Sequence, residues 1–161
     1  MGAADSAEVA TYLLSLTVPK AVTPLGLSIG LATLTMIERQ FAVIDTVGTS
    51  YTGGPVLNLS DWEINVVGIT DVQLAFSAAG RLDVVTLKVH KDHFAAVSSL
   101  FREVLNLEAD DDLGQGCHCL TFCSATLQVM LETPSSDSPF TVTYLSAPFK
   151  NARDRALNHM A

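Results

Sequence analysis

The chain has 161 residues, with 9 Lys+Arg, 17 Asp+Glu and a formal net charge of −8. A hydrophobic content of 48 % supports a packed core and excludes intrinsic disorder. The acidic balance argues against nucleic acid as a partner, because binding it relies on basic patches that displace counterions. No run of about 18 apolar residues is present, so we expect no membrane span.

The N-terminal part of the chain has helical spacing. Residues 6–16 predict a short helix that Ser6 caps, and residues 31–41 predict a second helix. Pro19 and Pro24 separate the two, because proline disfavours helix continuation.

A β pattern follows from residue 42. We expect strands over residues 42–47 and 63–69, a turn at 48–50 and a breaker or bulge at 53–55. Residues 72–76 and 82–89 alternate apolar and polar side chains around Gly80, which is typical of a hairpin.

A third amphipathic helix is predicted after this hairpin, with Asp92 as its cap and an end near Leu107. Its apolar stripe comprises Phe94, Val97, Phe101, Val104 and Leu105. Residues 108–116 are polar, acidic and glycine-bearing, so we expect a solvated loop there.

The last third of the chain predicts three further strands, over residues 117–122, 126–132 and 140–145. Residues 133–139 form the clearest loop, and residues from Pro148 onward predict a polar helix or a frayed tail.

These elements predict an α+β protein, in which an antiparallel sheet has its helices packed on one face. Residues 72–76 resemble 127–131, and 82–87 resemble 140–145, which predicts two related helix-meander units. We divide one compact domain into an N-terminal helix and linker (1–24), a first unit (25–90), a second unit (91–146) and a C-terminal helix or tail (147–161). The expected core comprises Leu74, Phe76, Val85, Leu87, Phe94, Phe101 and Val129.

One short segment gathers thiols and an imidazole: Cys117, His118, Cys119 and Cys123. These ligand types suit zinc or copper. Strand alternation, however, points His118 away from Cys117 and Cys119, so we expect no metal and no catalytic thiol. A metal- or thiol-handling protein that uses this cluster remains the alternative.

No catalytic motif, cofactor loop or calcium loop is present, so we predict neither an enzyme nor a cofactor. Three aromatic residues are candidates for interface anchors, because tyrosine and tryptophan dominate binding hot spots. They are Tyr51, Trp62 and Tyr144.

A glycine-flanked entry to a short helix, followed by a meander, resembles two groups of bacterial proteins: small outer-membrane-assembly lipoproteins and tandem-repeat β-lactamase inhibitor proteins. The matching positions are Gly26, Ser28, Gly30, Phe41, Phe76, Gly80, Arg81, Leu82 and Val85. The resemblance covers residues 25–146 and implies binding of another protein without catalysis. All three cysteines lie late in the chain, so lipid anchoring is not implied.

From these features we expect a non-enzymatic protein-binding or inhibitory module of a bacterial cell envelope. Its expected location is periplasmic or secreted, in a mature form, with the cytoplasm as the alternative.

Overall fold

An antiparallel sheet of eight strands organises the fold, and the computed structural model confirms the α+β class. The structure describes residues 3–17, 29, 32–40, 43–59, 68–114, 116–124, 127–135 and 137–160. Within these, the helices are α1 (Ala3–Ser15), α2 (Leu34–Gln40), α3 (Phe94–Val104) and α4 (Ala147–Met160). The strands are β1 (Val43–Thr49), β2 (Gly53–Leu59), β3 (Ile69–Ser77), β4 (Leu82–Val89), β5 (Asn106–Gly114), β6 (Cys117–Cys123), β7 (Leu127–Thr133) and β8 (Phe140–Ser146).

The strand order across the sheet is β1-β2-β3-β4-β8-β7-β6-β5. Strands β1 to β4 form one meander, in which β1 pairs with β2, β2 with β3 and β3 with β4. Strands β5 to β8 form a second meander in the same way. Consecutive strands pair in this way because a short connection is enough to join two neighbouring antiparallel strands. The two sets meet where β4 pairs with β8, with Val85 opposite Tyr144 and Leu87 opposite Val142.

The predicted hairpin of β3 and β4 is confirmed. Leu74 pairs with Val85, and Val72 pairs with Leu87. Gly80 in the connecting turn has φ +84°, a conformation that residues with a Cβ rarely adopt. The predicted strands after residue 116 are also found, as β6, β7 and β8.

The main core lies on one face of the sheet, beneath α1, α2 and α3. Six of the seven predicted core residues are buried there together: Leu74, Phe76, Val85, Leu87, Phe101 and Val129. The seventh, Phe94, is partly buried against the same core and stacks on Phe140 with ring centroids 5.2 Å apart.

The prediction that all helices pack on one face is wrong for α4. Its Phe149 belongs to a second, smaller cluster with Ala75, Val84 and Leu145. These side chains alternate along their strands with those of the main core, so they lie on the opposite face. The C-terminal segment is therefore a helix that covers part of that face.

Three local predictions are also corrected. The acidic segment expected to be a loop is largely strand β5, paired with β6 along its length. Helix α3 ends at Val104, which is 57 % exposed and not part of an apolar stripe. Asp92 does not cap α3: it lies in a 3₁₀ turn, Lys91–His93, where its backbone N–H donates to His90 Nδ1.

The N-terminal cap is corrected as well. Ser6 lies inside α1, and its hydroxyl contacts Nδ1 of the buried His93 at 2.8 Å, which ties α1 to the turn before α3.

The turn expected at residues 48–50 begins later, because β1 continues to Thr49. The glycine pair Gly53–Gly54 lies inside β2, next to a register shift between Gly53 and Val56, as the predicted bulge requires. The strand expected over 63–69 lies largely outside the described residues. Within the described part of the chain, no helix combines the length and hydropathy that a membrane crossing needs.

Candidate functional site

The three aromatic residues predicted as interface anchors have different environments. Tyr51 lies in the turn between β1 and β2 and is 53 % exposed. Its ring contacts that of Phe149 edge-on, with centroids 5.7 Å apart. Tyr51 is therefore a surface residue beside the start of α4.

Tyr144 was predicted as a surface anchor, and this is corrected, because its side chain is fully buried in the main core. Its hydroxyl donates a 2.6 Å hydrogen bond to the backbone oxygen of Leu13, and burial holds its pKa well above the usual range. Tyr144 thus joins β8 to α1. Trp62, the third candidate, lies outside the described residues.

The cysteine segment forms β6, an inner strand next to the edge strand β5. Leu120 and Phe122 of this strand enter the main core, so alternation places Cys119 and Cys123 on the opposite face. The His118 ring does not join the thiols, since its Nε2 contacts Oδ1 of Asp110. Among the described residues, no group of three His, Cys, Asp or Glu side chains is placed to hold a metal ion.

Two thiols of this strand, those of Cys119 and Cys123, have raised pKa values. The pKa of Cys119 is raised, first by burial and next by the negative charge of Glu132, which is its direct cross-strand neighbour. The pKa of Cys123 is raised mainly by its hydrogen bond to Glu108. Burial and acidic neighbours therefore favour the protonated form of both thiols, whereas a reactive thiolate needs a nearby positive charge.

A buried carboxylate that sequence reasoning missed lies where β8 ends and α4 begins. Asp83 is 0 % exposed and accepts hydrogen bonds from Thr52 Oγ1 at 2.8 Å, Ser146 Oγ at 3.0 Å and Arg81 Nε at 3.1 Å. Ser146 Oγ in turn accepts from the backbone N–H of Phe149 at 3.2 Å, as an N-cap does. One signal was available: an aspartate at the start of an apolar strand, two residues after an arginine.

We call the sheet face opposite the main core the open face. A row of mainly uncharged polar side chains crosses its centre, and each member pairs directly with the next. The row comprises Asn58, Gln73, Thr86, Thr143, Met130 and Thr121. Gln73 is exposed, and the other five are half-buried.

Two further rows flank this central row. On one side lies an apolar row of Val56, Ala75, Val84 and Leu145, where Phe149 of α4 packs. On the other side lies a row that carries charge, comprising Asp71, Lys88, Thr141, Glu132, Cys119 and Asp111. The open face therefore changes from apolar beside α4 to charged at its far margin.

Two concavities lie on this face and share Gln73 and Thr86. One, of about 390 Å³, lies beside α4 and includes Tyr51 and Phe149 in its wall. The other, of about 340 Å³, includes Asp71 and Lys88. The two concavities therefore adjoin each other at the centre of the open face.

Comparison with known proteins adds no identification: no family model, curated protein or solved structure matches this chain.

Proposed function

We propose that this protein is a non-enzymatic protein-binding or inhibitory module of a bacterial cell envelope, and that it binds its partner through the open face. The observation that carries this proposal is the central row of mainly polar side chains on the sheet, next to a concavity that Tyr51 helps to line. Side chains such as Thr86 and Thr143 offer hydroxyl donors and acceptors, and fixing them on binding costs little conformational entropy.

The order of the strands supports the proposed two-unit architecture. Strands β1 to β4 follow α2, and strands β5 to β8 follow α3, and the two sets join edge to edge at β4 and β8. A duplicated unit would produce this order and would double the width of a single binding face. The resemblance to helix-plus-meander proteins that bind other proteins supports the same function.

Export to the periplasm or beyond is part of the proposal and depends on that resemblance. The three free cysteines favour the alternative, a cytoplasmic location, because thiols persist more readily in a reducing compartment. Fractionation of the native host, with detection of this chain by antibody, distinguishes the two locations.

Affinity capture with matched variants tests the proposed binding face. The wild-type chain, the double variant Thr86→Arg/Thr143→Arg and the control Thr35→Arg would be immobilised and exposed to an envelope extract of the native host. Thr35 is exposed on α2, which packs on the other side of the sheet, so the control adds the same side chain away from the open face.

We expect one protein to be retained by the wild type and by Thr35→Arg and to be lost from the double variant. Circular dichroism spectra must first show that all three chains are equally folded. A protein captured equally well by the double variant would contradict binding through the open face.

A further inference from the structure

The concavity of about 390 Å³ beside α4 is a slot that opens to solvent and has an apolar inner wall. Val84, Leu145 and Phe149 are buried on its inner side, whereas Val56 and Met130 are half-buried and accessible from the groove. The exposed ring of Tyr51 forms part of its rim. A volume near the lower end of the range for ligand sites suits a large side chain rather than a large ligand.

An anionic group lies at the opposite margin of the same slot. The carboxylate of Glu132 is exposed and lines both this slot and a neighbouring hollow of about 220 Å³. Within the described part of the chain it takes part in no hydrogen bond or ion pair. Asp111 lies in the same row, beyond Cys119, and both carboxylates raise the pKa of the Cys119 thiol.

The cationic group of the slot is already engaged. Arg153 of α4 donates to Gln128 Oε1 at 3.3 Å and to Asp154 Oδ1 at 3.4 Å. Asp154 also pairs with Lys150 Nζ at 3.4 Å. Glu132, on the other side of the slot, is the carboxylate without such a partner in the described part of the chain, and it gives that margin a negative charge, in agreement with the net charge of −8 for the whole chain. A complementary partner surface is positive, and complementary charge directs both encounter rate and register.

We propose that the segment of the partner protein that binds the open face inserts a large apolar side chain beside Tyr51 and places a Lys or Arg against Glu132. This inference rests on the proposed function, since it specifies what the protein-binding face recognises. The segment is a short peptide element of mixed apolar and basic character.

A library of random 12-residue peptides displayed on phage tests this proposal with the intact chain as bait. Selection against the wild-type protein, followed by depletion on Thr86→Arg/Thr143→Arg, retains peptides that need the open face. We expect these peptides to combine an aromatic or large aliphatic residue with at least one Lys or Arg.

Fluorescence anisotropy of a selected peptide then separates the two halves of the proposal. Charge reversal by Glu132→Lys is expected to raise the Kd at least tenfold, and Tyr51→Ala about tenfold. The control Glu103→Lys, which reverses an exposed carboxylate on α3, is expected to change the Kd less than twofold. The affinity for the wild type is also expected to fall as salt increases.

Three outcomes would overturn the inference. They are acidic or wholly polar selected peptides, equal binding to the wild type and to Glu132→Lys, and no peptide that depends on the open face. A natural partner that is lost from Thr86→Arg/Thr143→Arg but is retained by Glu132→Lys and Tyr51→Ala would leave the proposed function intact and reject this inference alone.

Discussion

At the scale of single residues, the carboxylate of Asp83 connects parts of the chain that are far apart in sequence. Thr52 belongs to the turn between β1 and β2, and Ser146 ends β8 just before α4. Both hydroxyls donate to the same buried carboxylate. Asp83 therefore holds the turn that carries Tyr51 and the start of α4 in a fixed relation.

Replacing this carboxylate tests its role. Asp83→Asn removes a charged acceptor from two hydroxyl donors and from the Arg81 guanidinium, and we expect a loss of about 1.5–3 kcal/mol in the free energy of unfolding. Urea denaturation at pH 7 measures the change, and amide exchange in α4 is expected to become faster. The control is Asp71→Asn, whose carboxylate is 71 % exposed and is expected to change stability by less than about 0.5 kcal/mol.

The thiol of Cys119 gives a second prediction at this scale. Because burial and Glu132 raise its pKa, the thiolate is populated only well above neutral pH. In the variant Cys117→Ser/Cys123→Ser, alkylation by iodoacetamide is therefore expected to be slow at pH 7.5, with a midpoint above that of a free thiol near pH 8.5. Adding Glu132→Gln is expected to lower the midpoint, whereas rapid alkylation at pH 7 would contradict this account.

At the scale of secondary-structure elements, the apolar pattern of the sequence predicts α3 but does not predict β5. In α3, apolar residues at helical spacing place Val97 and Phe101 in the main core. In β5, a run of acidic residues has no apolar alternation, yet the segment is a strand. Pairing with β6 stabilises it, since strand formation depends on neighbouring strands more than on intrinsic preference.

Phe101 tests how α3 is held to the sheet. Its ring is fully buried and contacts Phe122 of β6 edge-on, with centroids 5.7 Å apart. Phe101→Ala is expected to cost about 3–5 kcal/mol in unfolding free energy, because a cavity remains in the core. Val104→Ala on the same helix is the matched control and is expected to cost less than about 0.5 kcal/mol. A loss below about 1 kcal/mol for Phe101→Ala would mean that α3 does not pack against the sheet.

The attachment of β5 is expected to depend on pH through Asp110. Hydrogen bonds from His118 and Arg102 lower the pKa of this carboxyl group. A carboxyl group whose pKa is lower in the folded chain stabilises the fold at pH values above its pKa in the unfolded chain, which is about 3.9. This contribution is lost as the pH falls through the pKa of the folded chain. The stability difference between the wild type and Asp110→Asn, measured by urea denaturation, should therefore shrink below about pH 4. A difference that stays constant or grows on acidification would contradict this assignment.

The fold was predictable wherever alternation is regular, as in β3, β4, β7 and β8. The alternation of side chains along a strand likewise predicts that His118 and Cys119 lie on opposite faces of β6. Alternation in β8 places Tyr144 on the main-core face with Phe140 and Val142, whereas its prediction as an interface anchor rested on residue type alone. Alternation does not show that Asp83 meets Ser146, because that contact joins residues 63 positions apart.

At the scale of the whole molecule, the sheet divides the protein into two unequal layers. Among the described residues, helices α1, α2 and α3 cover one face with the main core, whereas α4 covers the apolar margin of the other. The described part of this acidic chain thus presents a wide and largely polar sheet face, and this arrangement underlies the proposed binding function.

Site-specific photocrosslinking in the native host tests this central claim most directly. With p-benzoylphenylalanine at position 143 in place of Thr143, irradiation is expected to produce one discrete covalent adduct with a second protein. The same residue at position 35, in place of Thr35, is expected to produce none. An adduct from position 35 alone, or no adduct from position 143, would contradict the account.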